Sequence, residues 1–408
     1  MQHSIQVGIL KELMGQLDDG RNIDAGAQVR MPTRAYVDPQ IAAREWDILF
    51  RSHPQLIGLA SDLPEPGSFL TLDDFGLPLL ATRDKDGQFH AFLNACRHRS
   101  VKVATAARGR RSVFTCPFHS WSYGNNGALL TVPDEAHFGT VERACHGLIE
   151  LPAVERDGLL WVHPDAGGDL EVNTLLGEPL AAELASYQLA GHRYIGEKTI
   201  DMKLNWKFAN DTFGETYHFQ KLHKDTLGRL YYGNNLHLTE FGRHHRFVTA
   251  NYGIDELRTR PESEWRIEQG TFVLYYLFPN IQLLIDPATA TLIRIYPHPD
   301  DPGRSITRIS FYYTQAAIDA VEAAAATGQE TADVYDRDAY QNHPGGLETQ
   351  MEVFYSTVEQ EDYVMGEMQQ RAAETGMLKE VVFGRNEPAL HHFHRSFREA
   401  LDLPPVGG

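Results

Sequence analysis

The chain has 408 residues, of which 42% are hydrophobic and 23% charged, so it is long enough for two globular domains. A formal net charge of −18 argues against general affinity for nucleic acid or anionic membranes. Three cysteines are too few for a disulfide scaffold and fit a reducing cytoplasm. The longest uncharged apolar stretch, 271–285, is too short to cross a bilayer, and no signal peptide is predicted at the N-terminus. We expect a soluble, cytoplasmic protein.

The first half of the chain changes from helical to strand-like patterns. Residues 1–50 are predicted to form helical segments, one of which begins after Asp38. From about residue 58 to 163, short strands alternate with Asp-Gly and other Gly-rich turns; examples are 79–82, 89–94, 111–115 and 158–162. This pattern predicts a small all-β domain, followed by a linker rich in Gly and Asp at 165–177. We therefore divide the chain at 1–50, 51–165 and 166–408.

The second half is predicted to be mixed. It contains a helix at 180–189, a strand at 195–204 and a largely helical stretch at 206–222. Antiparallel strands follow, and two helices are predicted near the end of the chain. The strands are 270–277, 281–286, 291–296 and 305–313, and the helices are 316–326 and 347–374. The fold class is therefore α+β.

Two loops of the β domain each carry one cysteine and one histidine: Cys96-Arg97-His98 and Cys116-Pro117-Phe118-His119. Structural zinc sites usually take repeated C-x-x-C pairs, or a Cys pair followed by a His pair. A Rieske [2Fe–2S] centre needs this mixed set, because two cysteines bind one iron and two histidines bind the other. A zinc knuckle with one Cys and one His per loop is the alternative. The remaining thiol, Cys145, is predicted to be a buried small side chain.

A second candidate metal site starts from Glu215, His218 and His223. On a helix, residues three apart share a face, whereas residues five apart are about 140° apart. The helix must therefore end or bend between the two histidines if both bind one ion. Asp362 falls within an apolar stripe of the C-terminal helix, where a carboxylate needs compensation. Two histidines and a carboxylate bind non-haem Fe(II) in many oxygenases. The alternative is that Asp362 forms a buried salt bridge, or that the helix is rotated slightly outward and Glu361 shares the strain.

These motifs resemble the ring-hydroxylating (Rieske non-haem iron) oxygenases. The contexts NACRHRS and CPFHSWSY, with 17 residues between C-x-H and C-x-x-H, resemble the Rieske domain of that family. The segments NWKFANDTFGETYHFQKLH and VEQEDYVMGEMQ resemble the blocks that supply the catalytic iron ligands, and GRNEPALHHFHRSF resembles the C-terminal block. The family more often has Gly where Ser100 and Ser120 stand.

The resemblance implies a role for each motif residue. The inner iron of the cluster would be bound by Cys96 and Cys116, and the outer iron by His98 and His119. The mononuclear Fe(II) would be bound by His218, His223 and Asp362. Glu215 takes the place of the carboxylate that bridges the two centres, which is Asp in many members. Asp211 stands where others often have Asn, so a role near the iron is doubtful there.

The resemblance also implies a fold and partners. The catalytic domain would have a helix-grip (START/Bet v1-like) fold with an antiparallel sheet, and the chain would form a head-to-tail homotrimer, with or without a small beta subunit. A separate reductase, with or without a ferredoxin, would deliver electrons from NAD(P)H, since no dinucleotide-binding G-x-G-x-x-G loop is found. The enzyme would use O₂ to hydroxylate or demethylate a small organic, aromatic substrate.

Two rival classes stay open from the residues. One is a Rieske electron-transfer protein whose second domain only docks partners or binds a ligand; the other is a zinc-stabilised ligand-binding protein of helix-grip type. A pocket is expected from residues 230–232, 275–278, Leu283 and Ile293, although aromatic strands are more often core. His391, His392 and His394 are expected to be packing or surface residues.

Overall fold

The computed structural model describes residues 1–326, 335 and 346–406. The chain forms two compact units. The small unit consists of Arg44–Leu175 and Gln188–Gly191, and the large unit of Met1–Ala43, Leu176–Tyr187 and His192–Gly408. The first 43 residues thus belong to the large unit, and the domain boundaries drawn from the sequence stay a prediction. No helix among the described residues is both long and apolar enough to cross a membrane.

The small unit is mainly strands, and the large unit contains both strands and helices. In chain order the strands are β1 (Val29–Pro32), β2 (Gln55–Leu59), β3 (Ser68–Leu72), β4 (Leu79–Arg83), β5 (Phe89–Leu93), β6 (Arg108–Arg110), β7 (Val113–Thr115), β8 (Ser122–Gly124), β9 (Leu129–Thr131), β10 (Glu150–Leu151), β11 (Ala153–Arg156), β12 (Leu159–Val162), β13 (His192–Met202), β14 (His237–Phe241), β15 (His244–Ala250), β16 (Thr271–Leu277), β17 (Ile281–Ile285), β18 (Thr289–His298), β19 (Asp301–Thr314) and β20 (Glu380–Phe383). The α-helices are α1 (His3–Asp19), α2 (Pro39–Glu45), α3 (Glu135–Phe138), α4 (Val172–Leu176), α5 (Glu178–Ala185), α6 (Trp206–Asp211), α7 (Ile254–Leu257), α8 (Ile267–Gly270), α9 (Gln315–Ala326), α10 (Gly346–Thr357), α11 (Tyr363–Glu374) and α12 (Pro388–Ala400).

The small unit is built from short antiparallel strands, as the turn pattern predicts. One sheet has the strand order β10-β5-β4-β3-β6, and two three-stranded sheets have the orders β11-β12-β2 and β7-β8-β9. Strands β4 and β5 are joined at an Asp-Gly turn, in which Gly87 has a φ of 79° that suits a residue without Cβ. Aromatic side chains from several strands, among them Phe69, Phe92 and Phe114, form the core of this unit.

The large unit contains a seven-stranded sheet in the order β13-β19-β18-β17-β16-β15-β14. All of its pairings are antiparallel, so β14 to β19 form a continuous meander and β13 pairs with the last of them. The predicted mixed α+β class with an antiparallel sheet is confirmed.

The register divides the sheet into two faces. One cross-strand row runs through Arg246, Tyr275, Leu283, Leu292, Ser310 and Glu197. The neighbouring row, on the other face, runs through Leu238, Phe247, Leu274, Leu284, Thr291, Phe311 and Gly196. Helices cover the second face, because Phe311 contacts Phe354 of α10 and Gln282 donates a hydrogen bond to Asn210 of α6. We call this the helix-facing side of the sheet.

The helix predicted over 206–222 is wrong beyond residue 211. Helix α6 ends at Asp211, and consecutive turns follow. The hydroxyl of Thr212 donates to the carbonyl of Ala209 and competes with the helix for it. Gly214 then passes so close to Leu390 that an added Cβ would lie 2.2 Å from its Cδ2. The chain therefore leaves the helix before it reaches either histidine.

The helix predicted over 347–374 is present but is not regular. Helix α10 and helix α11 are joined by a π-helical turn, Val358–Asp362. Such turns occur mostly as single turns inside α-helices, often at functional sites. This one places Asp362, which is 7% exposed, at the junction.

Candidate functional site

The two Cys/His loops of the small unit have the same backbone hydrogen bonds. In the first loop the amide of Cys96 donates to the carbonyl of Val101 (2.8 Å), and the amide of Ser100 donates to the carbonyl of Cys96 (2.8 Å). In the second loop Cys116 pairs in the same way with Trp121 (2.8 Å) and Ser120 (3.0 Å). Both serines have a positive φ, 60° and 59°. The two loops therefore have equivalent backbones, although the histidine stands two residues after the cysteine in the first loop and three residues after it in the second.

The four predicted cluster ligands differ in exposure. The cysteines belong to one buried cluster and are 3% and 2% exposed, whereas His98 is half-buried and His119 is exposed. The two imidazole rings lie 4.6 Å apart between centroids. Buried sulfur and outward imidazole fit a cluster with an inner and an outer iron. This donor set therefore fits a Rieske cluster.

Neighbouring side chains hold this arrangement. The Tyr123 hydroxyl lies 3.3 Å from Cys96 Sγ and accepts a hydrogen bond from the amide of Arg97 (2.9 Å). The His98 ring stacks on Trp121, with centroids 5.3 Å apart. Phe118, although 52% exposed, lies against His119 with centroids 3.8 Å apart. Cys145 is exposed, so its prediction as a buried side chain is wrong.

In the large unit, His218, His223 and Asp362 converge. One ligand atom from each lies within 4.8 Å of the other two. Asp362 Oδ1 is 3.4 Å from His218 Nε2 and 3.2 Å from His223 Nε2. The turns after α6 bring the two rings to 4.9 Å between centroids, and the π turn supplies the carboxylate. The three side chains thus bring two imidazole nitrogens and one carboxylate oxygen together, which is the donor set of a facial metal site.

Each of these histidines has a second carboxylate behind it. His218 Nδ1 donates to Glu215, and His223 Nδ1 donates to Glu361 Oε2 at 2.7 Å. Metal-bound histidines almost always donate their other ring N–H to a carboxylate, a carbonyl or water, which leaves Nε2 free to bind the ion. The sequence did not identify Glu361 in this role.

The charges of the site call for a cation. Burial alone would lower the pKa of His218, but its hydrogen bonds with Asp362 and Glu215 outweigh that effect and raise the pKa to about 10. The pKa of His223 is raised too: its burial acts downward, and the hydrogen bonds to Asp362 and Glu361 prevail. Three carboxylates around two imidazoles need positive charge, which protons supply in the free chain and a divalent ion supplies when bound. The donor set therefore fits a mononuclear Fe(II).

Comparison with known protein families gives two matches, one for each half of the chain. Residues 189–403 match the family described as "Ring hydroxylating alpha subunit (catalytic domain)", and residues 53–148 match the "Rieske [2Fe-2S] domain". The first match alone covers more than half of the chain. The chain belongs to the ring-hydroxylating alpha subunits. Its cofactors are those of this family, a Rieske [2Fe–2S] cluster and mononuclear iron.

Relatives of this alpha subunit act on chemically different substrates. It is 28% identical over 197 residues to the glycine betaine monooxygenase oxygenase subunit of Chromohalobacter salexigens, covering 47% of this chain and 43% of that protein. It is 32% identical over 188 residues to the large oxygenase component of the naphthalene 1,2-dioxygenase system of Ralstonia sp, covering 45% and 40%. With choline monooxygenase of Spinacia oleracea it shares 23% over 381 residues, covering 91% and 78%. The first two matches therefore span less than half of those relatives.

Two solved structures share the fold. The quaternary ammonium Rieske monooxygenase CntA, in complex with L-carnitine, superposes with a TM-score of 0.71 at 17% identity, covering 91% of this chain and 95% of that one. Naphthalene 1,2-dioxygenase from Rhodococcus sp., bound to indole, gives a TM-score of 0.64 at 20% identity, covering 97% and 98%.

Asp211 and the C-terminal histidines of this alpha subunit form a separate polar network. His394 Nε2 lies 2.8 Å from Asp211 Oδ1, and the Tyr36 hydroxyl donates to Asp211 Oδ2 at 2.9 Å. His392 pairs with His245 at 2.9 Å between their Nδ1 atoms. Both His392 and His394 are fully buried, so the prediction that they are packing residues is correct and a surface position is wrong for them.

The pocket expected from the aromatic strands is partly wrong. Tyr275 and Leu283 share the row of Arg246, on the face opposite the helix-facing side, where Arg246 and Tyr275 donate hydrogen bonds to Glu183 of α5. Tyr231 does lie towards the site: a chain of ring contacts runs from His223 to Phe219 (5.6 Å), Tyr231 (5.9 Å) and Phe272 (5.7 Å). The alternation of the strands was visible in the sequence, but the face that the helices cover was not.

Proposed function

We propose that this chain is the terminal oxygenase of a multicomponent Rieske system, which uses O₂ and electrons from a separate reductase to oxygenate a small apolar organic compound. The observation that carries this proposal is the convergence of His218, His223 and Asp362 within 4.8 Å in a chain that also has a Rieske domain. When bound, the cluster supplies single electrons and the ferrous ion activates O₂.

The protein side chains have distinct tasks in this proposal. Cys96, Cys116, His98 and His119 hold the cluster, and the exposed ring of His119 is the part that an electron-transfer partner can approach. His218, His223 and Asp362 would hold the iron through two imidazole nitrogens and one carboxylate oxygen. Glu215, which accepts the Nδ1 proton of His218, would connect this histidine to a cluster histidine of a neighbouring subunit in a head-to-tail trimer.

The helix-facing side of the sheet supports an uncharged substrate. The row from Leu238 to Phe311 contains one hydroxyl, that of Thr291, and no charged side chain. Leu284 and Phe272 remain only half-buried although they lie within the sheet. Phe272 ends the ring contacts that begin at His223. Ligand pockets are mostly apolar with few polar groups, and an aromatic substrate suits this lining.

The proposed function predicts a selective response in a consumption assay. We would measure NADH and O₂ consumption with a surrogate reductase, with and without ferredoxin, across neutral aromatic compounds, glycine betaine and carnitine. Neutral aromatics should stimulate consumption and incorporate oxygen from ¹⁸O₂, whereas the quaternary amines should not. Stimulation by the amines alone would contradict the proposed substrate class.

The rival function is an electron-transfer protein whose large unit only docks partners. Such a protein would exchange electrons with the reductase but would not consume O₂ with any substrate. Its mononuclear site would be a buried ion-pair cluster without metal. The same assay separates the two, because only the oxygenase forms an ¹⁸O-labelled product.

A further inference from the structure

The π turn that carries Asp362 also carries Glu361, and these neighbours contact opposite sides of one imidazole. Asp362 Oδ1 lies 3.2 Å from His223 Nε2, and Glu361 Oε2 lies 2.7 Å from His223 Nδ1. Consecutive residues of a helix project about 100° apart, so a single turn reaches around the ring. His223 is 1% exposed, so bulk solvent does not reach its ring.

We propose that Glu361 is a positioning residue for the mononuclear metal: it fixes the tautomer and orientation of His223 so that Nε2 faces the ion. This inference rests on the proposed metal site and deepens it. Glu361 takes the place behind His223 that Glu215 takes behind His218, so both imidazoles are oriented by carboxylates at Nδ1.

A third side chain fixes Glu361 itself. The Thr226 hydroxyl donates to Glu361 Oε2 at 3.0 Å, and Thr226 lies in the turn that begins at His223, where its amide donates to the His223 carbonyl at 3.0 Å. The backbone of this turn also passes Gly228, where an added Cβ would lie 2.8 Å from the same carbonyl. These hydrogen bonds therefore link His223, Thr226 and Glu361 and hold the turn after His223 against the π turn.

Glu359 provides a matched control. It lies in the same π turn and is also acidic, but its carboxylate accepts from the Tyr355 hydroxyl at 2.7 Å and not from a histidine of the site. Removing its charge should alter the local electrostatics and helix propensity about as much as the change at Glu361, without affecting the orientation of His223.

The experiment uses the full chain with its Rieske cluster intact and the mononuclear site stripped and then titrated with Co(II). Calorimetry gives the dissociation constant, and paramagnetic proton NMR detects the exchangeable Nδ1 protons of Co(II)-bound histidines. We expect Glu361→Ala to weaken Co(II) binding by about 10- to 100-fold and to lose the slowly exchanging Nδ1 signal of His223. Glu361→Gln, whose amide oxygen still accepts the proton, should retain the signal at a changed shift and bind with intermediate affinity. Glu359→Gln should match the wild type.

The outcomes separate this inference from the metal site itself. Wild-type affinity and both exchangeable signals in Glu361→Ala would overturn the role of Glu361; if that variant does not fold, wild-type affinity and an unmoved signal in Glu361→Gln would do so. Asp362→Ala should abolish Co(II) binding at this site. If it does not, the proposed metal site is wrong, whatever the result at Glu361.

Discussion

At the scale of single residues, Ser100 and Ser120 occupy equivalent positions that suit glycine. Both have a φ near 60°, where an L side chain costs about 1–2 kcal/mol and glycine does not. Each lies four residues after a predicted cluster cysteine, at the turn that closes its loop. The family that this chain resembles more often has glycine at these positions, and the serines are tolerated because both are exposed.

Ser120→Gly should therefore stabilise the small unit. Relief of strain exceeds the chain entropy that glycine adds to the unfolded state, for a net gain of about 0.5–1 kcal/mol. The measurement is the midpoint of thermal loss of the cluster's visible absorption. Ser112→Gly, at an exposed position without a positive φ, should lower that midpoint. A loss of stability in Ser120→Gly equal to that in Ser112→Gly would contradict the argument.

The pair of His245 and His392 makes stability depend on pH. Burial lowers the pKa of both imidazoles, so they are neutral in the folded chain and gain protons on unfolding. Where the unfolded state binds more protons than the folded state, the free energy of unfolding decreases as the pH is lowered. This loss begins below about pH 6.5 and reaches up to about 1.4 kcal/mol per pH unit for each histidine.

His392→Gln should reduce this dependence, because one of the two groups no longer titrates. The free energy of unfolding by urea, compared at pH 7.5 and 5.5, should change less in the variant than in the wild type. Replacement of the exposed His137 serves as the control. An equal pH slope in His392→Gln and the wild type would show that this pair does not govern acid stability.

The candidate ligands were predictable from local sequence, but their partners were not. Cys96, His98, Cys116 and His119 stand in two short motifs whose spacing carries the chemistry. Glu361 is 138 residues from His223 in sequence, and its contact depends on a π turn that apolar periodicity does not reveal. Only the fold brings the two together.

At the scale of elements, helix α11 is fixed where it passes Leu204, between β13 and α6. Gly366 lies against Leu204, and an added Cβ would be 2.4 Å from the Cδ1 of this fully buried side chain. One turn earlier, the Tyr363 hydroxyl lies 2.8 Å from the Thr307 hydroxyl on β19. These contacts fix the position of α11 against Leu204 and β19 and, with it, the position of Asp362.

Gly366→Ala should consequently destabilise the large unit and displace the metal ligand. Overpacking costs about 1–3 kcal/mol, while helix propensity alone would favour alanine by about 1 kcal/mol. Gly8→Ala in α1, where nothing lies within 4 Å, isolates the propensity gain and should raise the melting temperature. Thermal unfolding of both variants tests this, and a higher melting temperature in Gly366→Ala would contradict the packing argument.

The bounds of several strands followed from the sequence, whereas many short strands and the irregular elements were not predicted. Turn residues and period-two alternation located β4, β5, β12 and β16 within about two residues. The helix predicted beyond α6 was wrong, because the periodicity of that stretch is helical while Gly214 must pass Leu390 at close range. Such tertiary contacts override local propensity.

At the scale of the whole molecule, each unit has its own core and its own candidate metal site. Cys96 and Cys116 lie within the core of the small unit, and the three predicted iron ligands belong to the large unit. The two metal-binding motifs lie in different halves of the sequence, and this predicted that each unit carries one of the two sites. The strand register was needed to assign the helix-facing side of the large sheet. The apolar lining could therefore be assigned only from the structure.

The iron content of the purified chain tests the central claim most directly, since His218, His223 and Asp362 should hold one ion in addition to the cluster. Elemental analysis should give about three irons per wild-type chain, two in the cluster and one in the triad. Asp362→Ala should contain about two and keep the visible spectrum of the cluster, while Glu359→Ala should contain about three. A wild-type chain with only two irons, or an Asp362→Ala chain that still holds the third, would contradict the account.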